Sequence, residues 1–141
     1  MNYLRKAIAL ISLLLVTSLA SAAGDARVVY HINEGVDKAT DVLRNVRNHL
    51  GADPKAKIVV VGHGPGINFM LEGAEDKNKN PFNVAMEELA GKGVEFRVCK
   101  NTLTSRNIPE SKVVQPATIV PSGVAEIGRL QAQEGYVYLK P

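Results

Sequence analysis

Cys99 is the only cysteine in this chain of 141 residues, and its position is the one that most favours chemistry. It ends an apolar run and precedes a segment, Asn101 to Asn107, that can form a short helix capped by Asn101 or Thr102. Free backbone N–H groups at such a junction, together with the charge of Arg97 or Lys100, would lower the pKa of the thiol and make it a nucleophile. The alternative interpretation is structural, because an isolated cysteine is more often a small buried hydrophobe.

His63 is the second candidate, and it lies within the sequence Gly62-His63-Gly64-Pro65-Gly66. Such a loop lets the backbone approach a ligand closely, and imidazole can act as an acid, a base or a ligand donor. A tight turn with a packed or solvent-facing histidine fits the same residues equally well. The loop has neither the ending of a Walker motif nor the spacing of a dinucleotide fingerprint, so we expect no nucleotide, flavin or other cofactor.

Two further kinds of active site are disfavoured. A metal site would require His31, His63 and Cys99 to converge with carboxylates, and nothing in their spacing predicts this, so no metal is expected. No serine lies in a Gly-x-Ser-x-Gly elbow, which argues against a hydrolase triad. A single cysteine also excludes an internal disulfide.

The elements that must position these residues alternate along the chain. Continuous apolar runs predict strands that are covered on both faces, as in a parallel sheet between helices. These runs are Arg27–Ile32, Lys57–Gly62, Val94–Cys99, Ala117–Val120 and Tyr136–Leu139. Apolar residues at helical spacing predict three helices: Val36–Leu50 ended by Gly51, a second from a cap at Asn80 and Pro81 to Gly91, and a third around Val124, Ile127 and Leu130.

This order of elements predicts the fold class. With right-handed crossovers it gives an α/β protein, a three-layer α/β/α sandwich with an open, mainly parallel sheet of about five strands. In such sheets the functional crevice lies beyond the carboxyl ends of the strands. The segments that follow His31, His63 and Cys99 are therefore expected to meet there.

Residues 1–22 have the pattern of a secretory signal peptide. Arg5 and Lys6 form a positive region, Ala7 to Leu19 is apolar, and Ala20-Ser21-Ala22 supplies the small residues of a cleavage site. The apolar run is shorter than the roughly 20 residues that span a bilayer, so we expect cleavage rather than stable membrane insertion. The expected product is a single domain, residues 23–141, located in the periplasm or secreted.

Composition excludes further classes. The chain has 17 basic and 14 acidic side chains, and the predicted signal peptide contains two of the basic ones. The nearly balanced remainder gives no reason to expect nucleic acid or anionic lipid as a partner. The apolar fraction of 45% is that of a globular protein and excludes a disordered chain.

Several segments resemble the DsrE/DsrF-like proteins, which are associated with intracellular sulfur oxidation and sulfur relay. They are Val94–Leu103, Arg106-Asn107-Ile108, Ile119–Val124, Leu130-Gln131 and Gly135–Pro141, and Val59–Asn68 resembles the second strand of that family and the loop after it. The resemblance implies a flavodoxin-like fold, a homo- or hetero-oligomer, and a persulfide on the cysteine after the third strand, which is Cys99 here. Arg106 lies where the family commonly has Arg followed by Gly, and Asn107 can also adopt a positive φ.

Two functional hypotheses follow, and they differ in the state of Cys99. In the first, an exported sulfur carrier or sulfurtransferase-type protein uses Cys99 as its catalytic residue and exchanges sulfur with a thiol or sulfane-sulfur partner. The residues expected to bind the reacting anion are His63, Gly64, Lys100, Asn101, Thr102 and Arg106. In the second, Cys99 packs in the core of a non-catalytic module that binds a small ligand or assembles into a homo-oligomer.

Overall fold

The computed structural model describes residues 24–141, so the predicted signal peptide lies outside the described residues. Its strands are β1 (Arg27–Ile32), β2 (Lys57–Gly62), β3 (Glu95–Cys99), β4 (Thr118–Val120) and β5 (Val137–Leu139). Its α-helices are α1 (Val36–Ala52), α2 (Phe82–Ala90), α3 (Lys100–Ser105) and α4 (Gly123–Glu134), and two 3₁₀ helices span Gly64–Met70 and Glu110–Lys112. None of the helices in the described part of the chain has the length and hydropathy to cross a bilayer.

The five strands form one sheet in the order β4-β3-β2-β1-β5. Every adjacent pair is parallel, with Val29 beside Val59 and Val60 beside Phe96. The predicted α/β architecture with a five-stranded parallel sheet is therefore confirmed. Because all strands run in one direction, β1, β2 and β3 deliver the residues that follow them to the same edge.

The side chains of the sheet alternate between two apolar layers. The larger layer joins strand residues such as Tyr30 and Phe96 to buried positions of α1 and α2, among them Leu43 and Met86. The smaller layer joins Val29, Val59 and Val61 of the sheet to Ile127 and Leu130 of α4. Burial of an aliphatic side chain of this kind contributes roughly 1.5–3 kcal/mol. Both faces of the central strands are thus covered, which is why their sequences are apolar without alternation.

Three helix boundaries differ from the prediction. The prediction that Gly51 ends α1 is wrong: the helix continues to Ala52, and Asp53 forms its C-cap. The prediction that Asn80 caps α2 is also wrong, because the Asn80 amide bonds the Asp76 carboxylate and Pro81 is the N-cap residue. Helix α3 starts at Lys100, so Cys99 itself occupies the N-cap position that was assigned to Asn101 or Thr102. Propensity indicates that a helix is present more reliably than it indicates its ends.

Candidate functional site

A pocket of about 340 Å³ opens at the carboxyl edge of the sheet, where the segments after β2 and β3 meet the start of α4. The residues that line it are His63, Cys99, Asn101, Thr102, Ser105, Ser122 and Val124. Four of them, His63, Cys99, Asn101 and Thr102, were predicted from the sequence as site residues. The parallel sheet brings these residues together because it ends β2 and β3 side by side.

Cys99 is one of the residues that line this pocket, and it is largely buried. Its side chain is a free thiol, and the residue is 5% exposed. The small exposed fraction excludes a thiol that projects freely into solvent. Because Cys99 also lines the pocket, a small reactant can approach the sulfur from that side.

Burial would by itself raise the pKa of the Cys99 thiol, but hydrogen bonding to the sulfur outweighs it. The groups that lower the pKa are the backbone N–H of Gly123, the hydroxyl and backbone N–H of Thr102, and the backbone N–H of Asn101, which also donates to the carbonyl oxygen of Pro121 at 3.3 Å. The net pKa lies below the ordinary value of a cysteine, so a larger fraction of the thiol is ionised near neutral pH. The positive environment expected from the sequence is therefore made of amide dipoles.

The Thr102 hydroxyl is fixed by a second hydrogen bond. Its Oγ1 accepts from the backbone N–H of Gly64 at 2.9 Å, which directs the hydroxyl proton elsewhere and makes it available to the sulfur. Gly64 has φ of +53°, a left-handed backbone conformation that glycine adopts without strain. Gly64 therefore contributes to the site through its amide, which orients Thr102.

We expect Thr102→Val to slow the reaction of Cys99 with a chromogenic disulfide at pH 6 by roughly tenfold, because a hydrogen bond to a charged group contributes about 1.5–3 kcal/mol. The loss of the hydroxyl raises the pKa of the thiol and so reduces the thiolate fraction. Thr104→Val is the matched control, since Thr104 is exposed on the same helix. Equal rates for the two variants, each checked to be folded, would show that the hydroxyl does not act on the sulfur.

The two cations assigned to the site lie outside the lining of the pocket. Lys100 forms an ion pair with Glu110 at 2.7 Å. Arg106 donates to Oδ1 of Asn68 at 2.7 Å and approaches the carbonyl of Gly64 at 3.5 Å. Arg106 thus ties the end of α3 to the 3₁₀ helix after β2.

The turn after Arg106 agrees with the expectation from the sequence. Asn107 has φ of +52°, so asparagine adopts the left-handed conformation in this chain. Its backbone N–H donates to the carbonyl of Thr104 at 3.1 Å, and the next residue, Ile108, donates to Leu103 at 2.9 Å. These bonds satisfy carbonyls at the end of α3.

Gly123 was not singled out by sequence reasoning, although it contacts the centre of the site. A Cβ built there would lie 3.1 Å from Cβ of His63, 3.2 Å from Cβ of Cys99 and 3.3 Å from the carbonyl oxygen of Gly62. Glycine therefore lets the start of α4 pack against both functional side chains and brings its own N–H to the sulfur. The segment Ser122-Gly123-Val124 was visible only as part of the family resemblance.

His63 also belongs to a second cluster, on the other side of β2. Its Nε2 lies 2.7 Å from Nε2 of His31, and the planes of the two rings are inclined by 21° with centroids 4.8 Å apart. The hydroxyl of Tyr138 lies 2.6 Å from Nδ1 of His31. Sequence reasoning placed His31 at the expected crevice and weighed it as a metal ligand, but it did not predict the contact with His63 and did not single out Tyr138.

Among residues 24–141, no three His, Cys, Asp or Glu side chains lie together in an arrangement that could hold a metal ion. The ring nitrogens of His31 and His63 that face each other are hydrogen-bonded to one another.

The fold and the site define an α/β protein with a thiol-centred pocket at the carboxyl edge of a parallel sheet. The chain belongs to the DsrE/DsrF-like family, whose model matches residues 11–141. This confirms the family resemblance read from the segments around Cys99 and His63, and the family is associated with sulfur relay.

Two solved structures are similar to the chain. A protein of unknown function from Methanobacterium thermoautotrophicum, MTH1491, is 32% identical, with a TM-score of 0.73 over 83% of this chain and 100% of its own. The ychN protein from E. coli is 13% identical, with a TM-score of 0.65 over 84% of this chain and 99% of its own, and supports the fold alone. No curated protein matches the chain.

Proposed function

We propose that the protein carries sulfane sulfur on Cys99 as a persulfide and acts as a sulfur carrier of the sulfurtransferase type. The observation that carries this proposal is that Cys99 lines an open pocket and that backbone N–H groups and the Thr102 hydroxyl lower the pKa of its thiol. Membership of the DsrE/DsrF-like family, which is associated with sulfur relay, supports the same assignment.

The proposed reaction needs no cofactor and no external oxidant. The Cys99 thiolate attacks the outer sulfur of a donor such as thiosulfate, a bond forms between Sγ and that sulfur, and sulfite leaves with the electron pair of the broken bond. An acceptor thiolate then attacks the outer sulfur of the persulfide, and Cys99 leaves as a thiolate. Both steps are exchanges at sulfur, so the donor is reduced and the acceptor is oxidised by the same amount.

The groups around Cys99 suit the anions of this cycle. The thiolate and the persulfide both carry negative charge, which the N–H groups of Gly123 and Asn101 and the donors of Thr102 stabilise. A pocket of about 340 Å³ accommodates a small donor or the tip of a partner's cysteine side chain. Val124, which is 62% exposed, offers an apolar contact at the same pocket for a partner protein.

The test is sulfur loading followed by mass spectrometry. We expect the purified wild-type protein to gain the mass of one sulfur atom on Cys99 after incubation with thiosulfate or polysulfide, and Cys99→Ser to gain none. The variant is a stringent control because Cys99 is the only cysteine, so any gain it shows is a non-specific adduct. An unmodified wild-type thiol, under conditions that load a known sulfur carrier, would contradict the proposal.

The 5% exposure of Cys99 favours a second candidate, a non-catalytic ligand-binding or assembly module of the same fold. The rate at which the native thiol reacts with a chromogenic disulfide distinguishes the two. Rapid reaction at pH 6 supports the carrier, since it requires an accessible thiol of low pKa. Reaction only after denaturation supports the module, and in that case Cys99→Ala should leave ligand binding intact.

Export and self-association are proposed on separate grounds. Export follows from the signal-peptide pattern of residues 1–22, and amino-terminal sequencing of the processed protein should begin near Ala23. Self-association is supported by the exposed apolar side chains of Val124 on α4 and Val137 on β5, each 62% exposed. Light scattering on the purified protein should give a mass above that of one chain.

A further inference from the structure

The order of the strands places His63 between two groups of functional side chains. Strand β2 lies between β1 and β3, so a residue that follows β2 can reach both neighbours. On the β3 side, His63 lines the Cys99 pocket. On the β1 side, it is hydrogen-bonded to His31, which is hydrogen-bonded in turn to Tyr138 of β5, the strand that pairs with the other edge of β1. A continuous hydrogen-bonded chain therefore runs from Tyr138 to the edge of the thiol pocket.

The separation of the two imidazoles restricts where protons can be. A distance of 2.7 Å between Nε2 of His31 and Nε2 of His63 requires one proton between them, since two would face each other and none would leave two lone pairs in repulsion. One imidazole therefore donates and the other accepts. The pair can hold one additional proton without breaking this bond, but not two.

The environment of His31 disfavours the charged form of its ring. Burial, the charge of His63 and the charge of Lys140 all lower the pKa of His31, and only Glu34 opposes them. Glu34 and Lys140 are themselves ion-paired, which limits the influence of either charge. His31 is therefore the ring that accepts at Nε2, and His63, which lines the pocket together with Cys99, is the ring that donates.

A neutral His31 that accepts at Nε2 carries its proton on Nδ1 and donates it to the hydroxyl oxygen of Tyr138. Nε2 of His63 is then permanently engaged as a donor to His31. Nδ1 remains as the nitrogen of His63 that His31 does not engage. The second histidine and the tyrosine thus select one tautomer of the first, as an orienting group does for a catalytic base.

We propose that His31 and Tyr138 are positioning residues that make His63 the general acid for the thiolate that leaves when Cys99 attacks a sulfur–sulfur bond. The proposal rests on the proposed function, because it assumes that Cys99 is the nucleophile. In the step, Sγ bonds to the attacked sulfur, the old sulfur–sulfur bond breaks, and its electron pair departs with the leaving sulfur. That sulfur takes the proton from Nδ1 of His63, which becomes neutral and keeps its bond to His31.

The test compares two disulfides with leaving groups of different basicity. Reaction with glutathione disulfide expels a basic aliphatic thiolate that benefits from protonation, whereas 5,5′-dithiobis(2-nitrobenzoate) expels a weakly basic aromatic thiolate that does not. We expect His31→Ala to slow the first reaction by at least about tenfold, since general acid catalysis contributes about 10²–10⁴-fold, and to change the second by less than about threefold. Tyr138→Phe should slow the first reaction by a smaller factor.

Two further variants separate a specific role from a structural one. His31→Gln should recover part of the loss, because an amide oxygen can still accept from Nε2 of His63. His49→Gln is the matched control. The Nδ1 of His49 lies 2.9 Å from the hydroxyl of Tyr30, so His49 is also a partly buried histidine that is hydrogen-bonded to a tyrosine. We expect this variant to react with both disulfides at wild-type rates.

The outcomes distinguish this proposal from the proposed function. If the His31 variants slow both disulfides equally, or slow neither, the positioning role is wrong while sulfur loading of Cys99 stands. If wild-type protein reacts with neither disulfide, the nucleophilic role of Cys99 fails and both proposals fail with it. If His31→Ala does not fold, the positioning role is tested by comparing His31→Gln with wild type. We still expect His31→Gln to slow the reaction with glutathione disulfide more than the reaction with the aromatic disulfide.

Discussion

Gly66→Ala is expected to unfold the domain or to remove most of its stability. A Cβ at position 66 would lie 2.1 Å from the carbonyl oxygen of Ile32 and 2.8 Å from Cα of Asn33. Both are backbone atoms at the end of β1, so no side-chain rotation relieves the overlap. Overpacking costs typically about 1–3 kcal/mol even where side chains can yield, and here the strand or the 3₁₀ helix must move, so we expect at least about 3 kcal/mol.

Urea denaturation checks this, with Gly128→Ala as the control. Nothing lies within 4 Å of a Cβ at Gly128, which sits in α4, so alanine there should stabilise the protein by about 0.5–1 kcal/mol. If Gly66→Ala has the same denaturation midpoint as wild type, the close approach of the 3₁₀ helix to β1 does not exist in solution.

This close approach also explains how the site is held. The backbone N–H of Gly66 donates to the carbonyl of His63 at 3.0 Å, and the N–H of His63 donates to that of Ile32 at 3.2 Å. The segment after β2 is therefore fixed against the end of β1. That placement lets His63 contact His31 and lets Gly64 orient Thr102. Stability and site geometry depend on the same glycine.

The fold could be predicted well from the sequence because its central strands are buried on both faces. The bounds of β1 and β2 were predicted without error, since Val28 to Ile32 and Ile58 to Val61 contain few polar residues to confuse the pattern. The position of Cys99 at the end of β3 followed from the same reasoning. Periodicity identifies elements and their ends approximately, which is enough to place residues that lie at the end of a strand.

The remaining contacts of the site depend on the order of the strands in the sheet, which cannot be predicted from the periodicity of apolar residues. Tyr138 reaches His31 across 107 positions only because β5 pairs with β1 at the edge of the sheet. Gly123 reaches Cys99 because β4 is placed beside β3. Lys100 shows the converse, because it adjoins Cys99 in sequence yet pairs with Glu110. The tertiary structure, rather than proximity in sequence, therefore determines which partner a long side chain contacts.

Glu126→Ala is expected to destabilise the protein by about 1–3 kcal/mol. The Glu126 side chain on α4 is 12% exposed and contacts Arg97 of β3, which is 14% exposed, as well as Arg129 at 2.8 Å. Its removal leaves the Arg97 guanidinium in a largely buried position without its main partner between helix and sheet. The loss of one partner of a fully buried pair costs about 3–5 kcal/mol, and the remaining contact of Arg97 with Glu95 reduces the effect here.

Two controls make this prediction specific. Asp41→Ala removes an exposed ion pair, in which the Asp41 side chain is 45% and the Arg44 side chain 60% exposed. We expect this variant to lose less than about 1 kcal/mol of unfolding free energy.

The second control is the pH dependence of stability. Hydrogen bonds from Arg129 and Arg97 outweigh burial and hold the pKa of Glu126 below its ordinary value of 4.5. Its stabilising contribution is therefore complete above that pH and is lost as the pH falls through the lowered pKa.

The difference in unfolding free energy between wild type and Glu126→Ala should accordingly be constant near neutral pH and shrink on acidification. A difference that stays constant down to the lowest pH at which both proteins fold would show that the side chain acts by packing rather than by charge. Because α4 also carries the Gly123 N–H that contacts Cys99, the same variant should slow the reaction of the thiol at pH 6. Asp41 lies on α1, so Asp41→Ala should leave the rate of the thiol reaction unchanged.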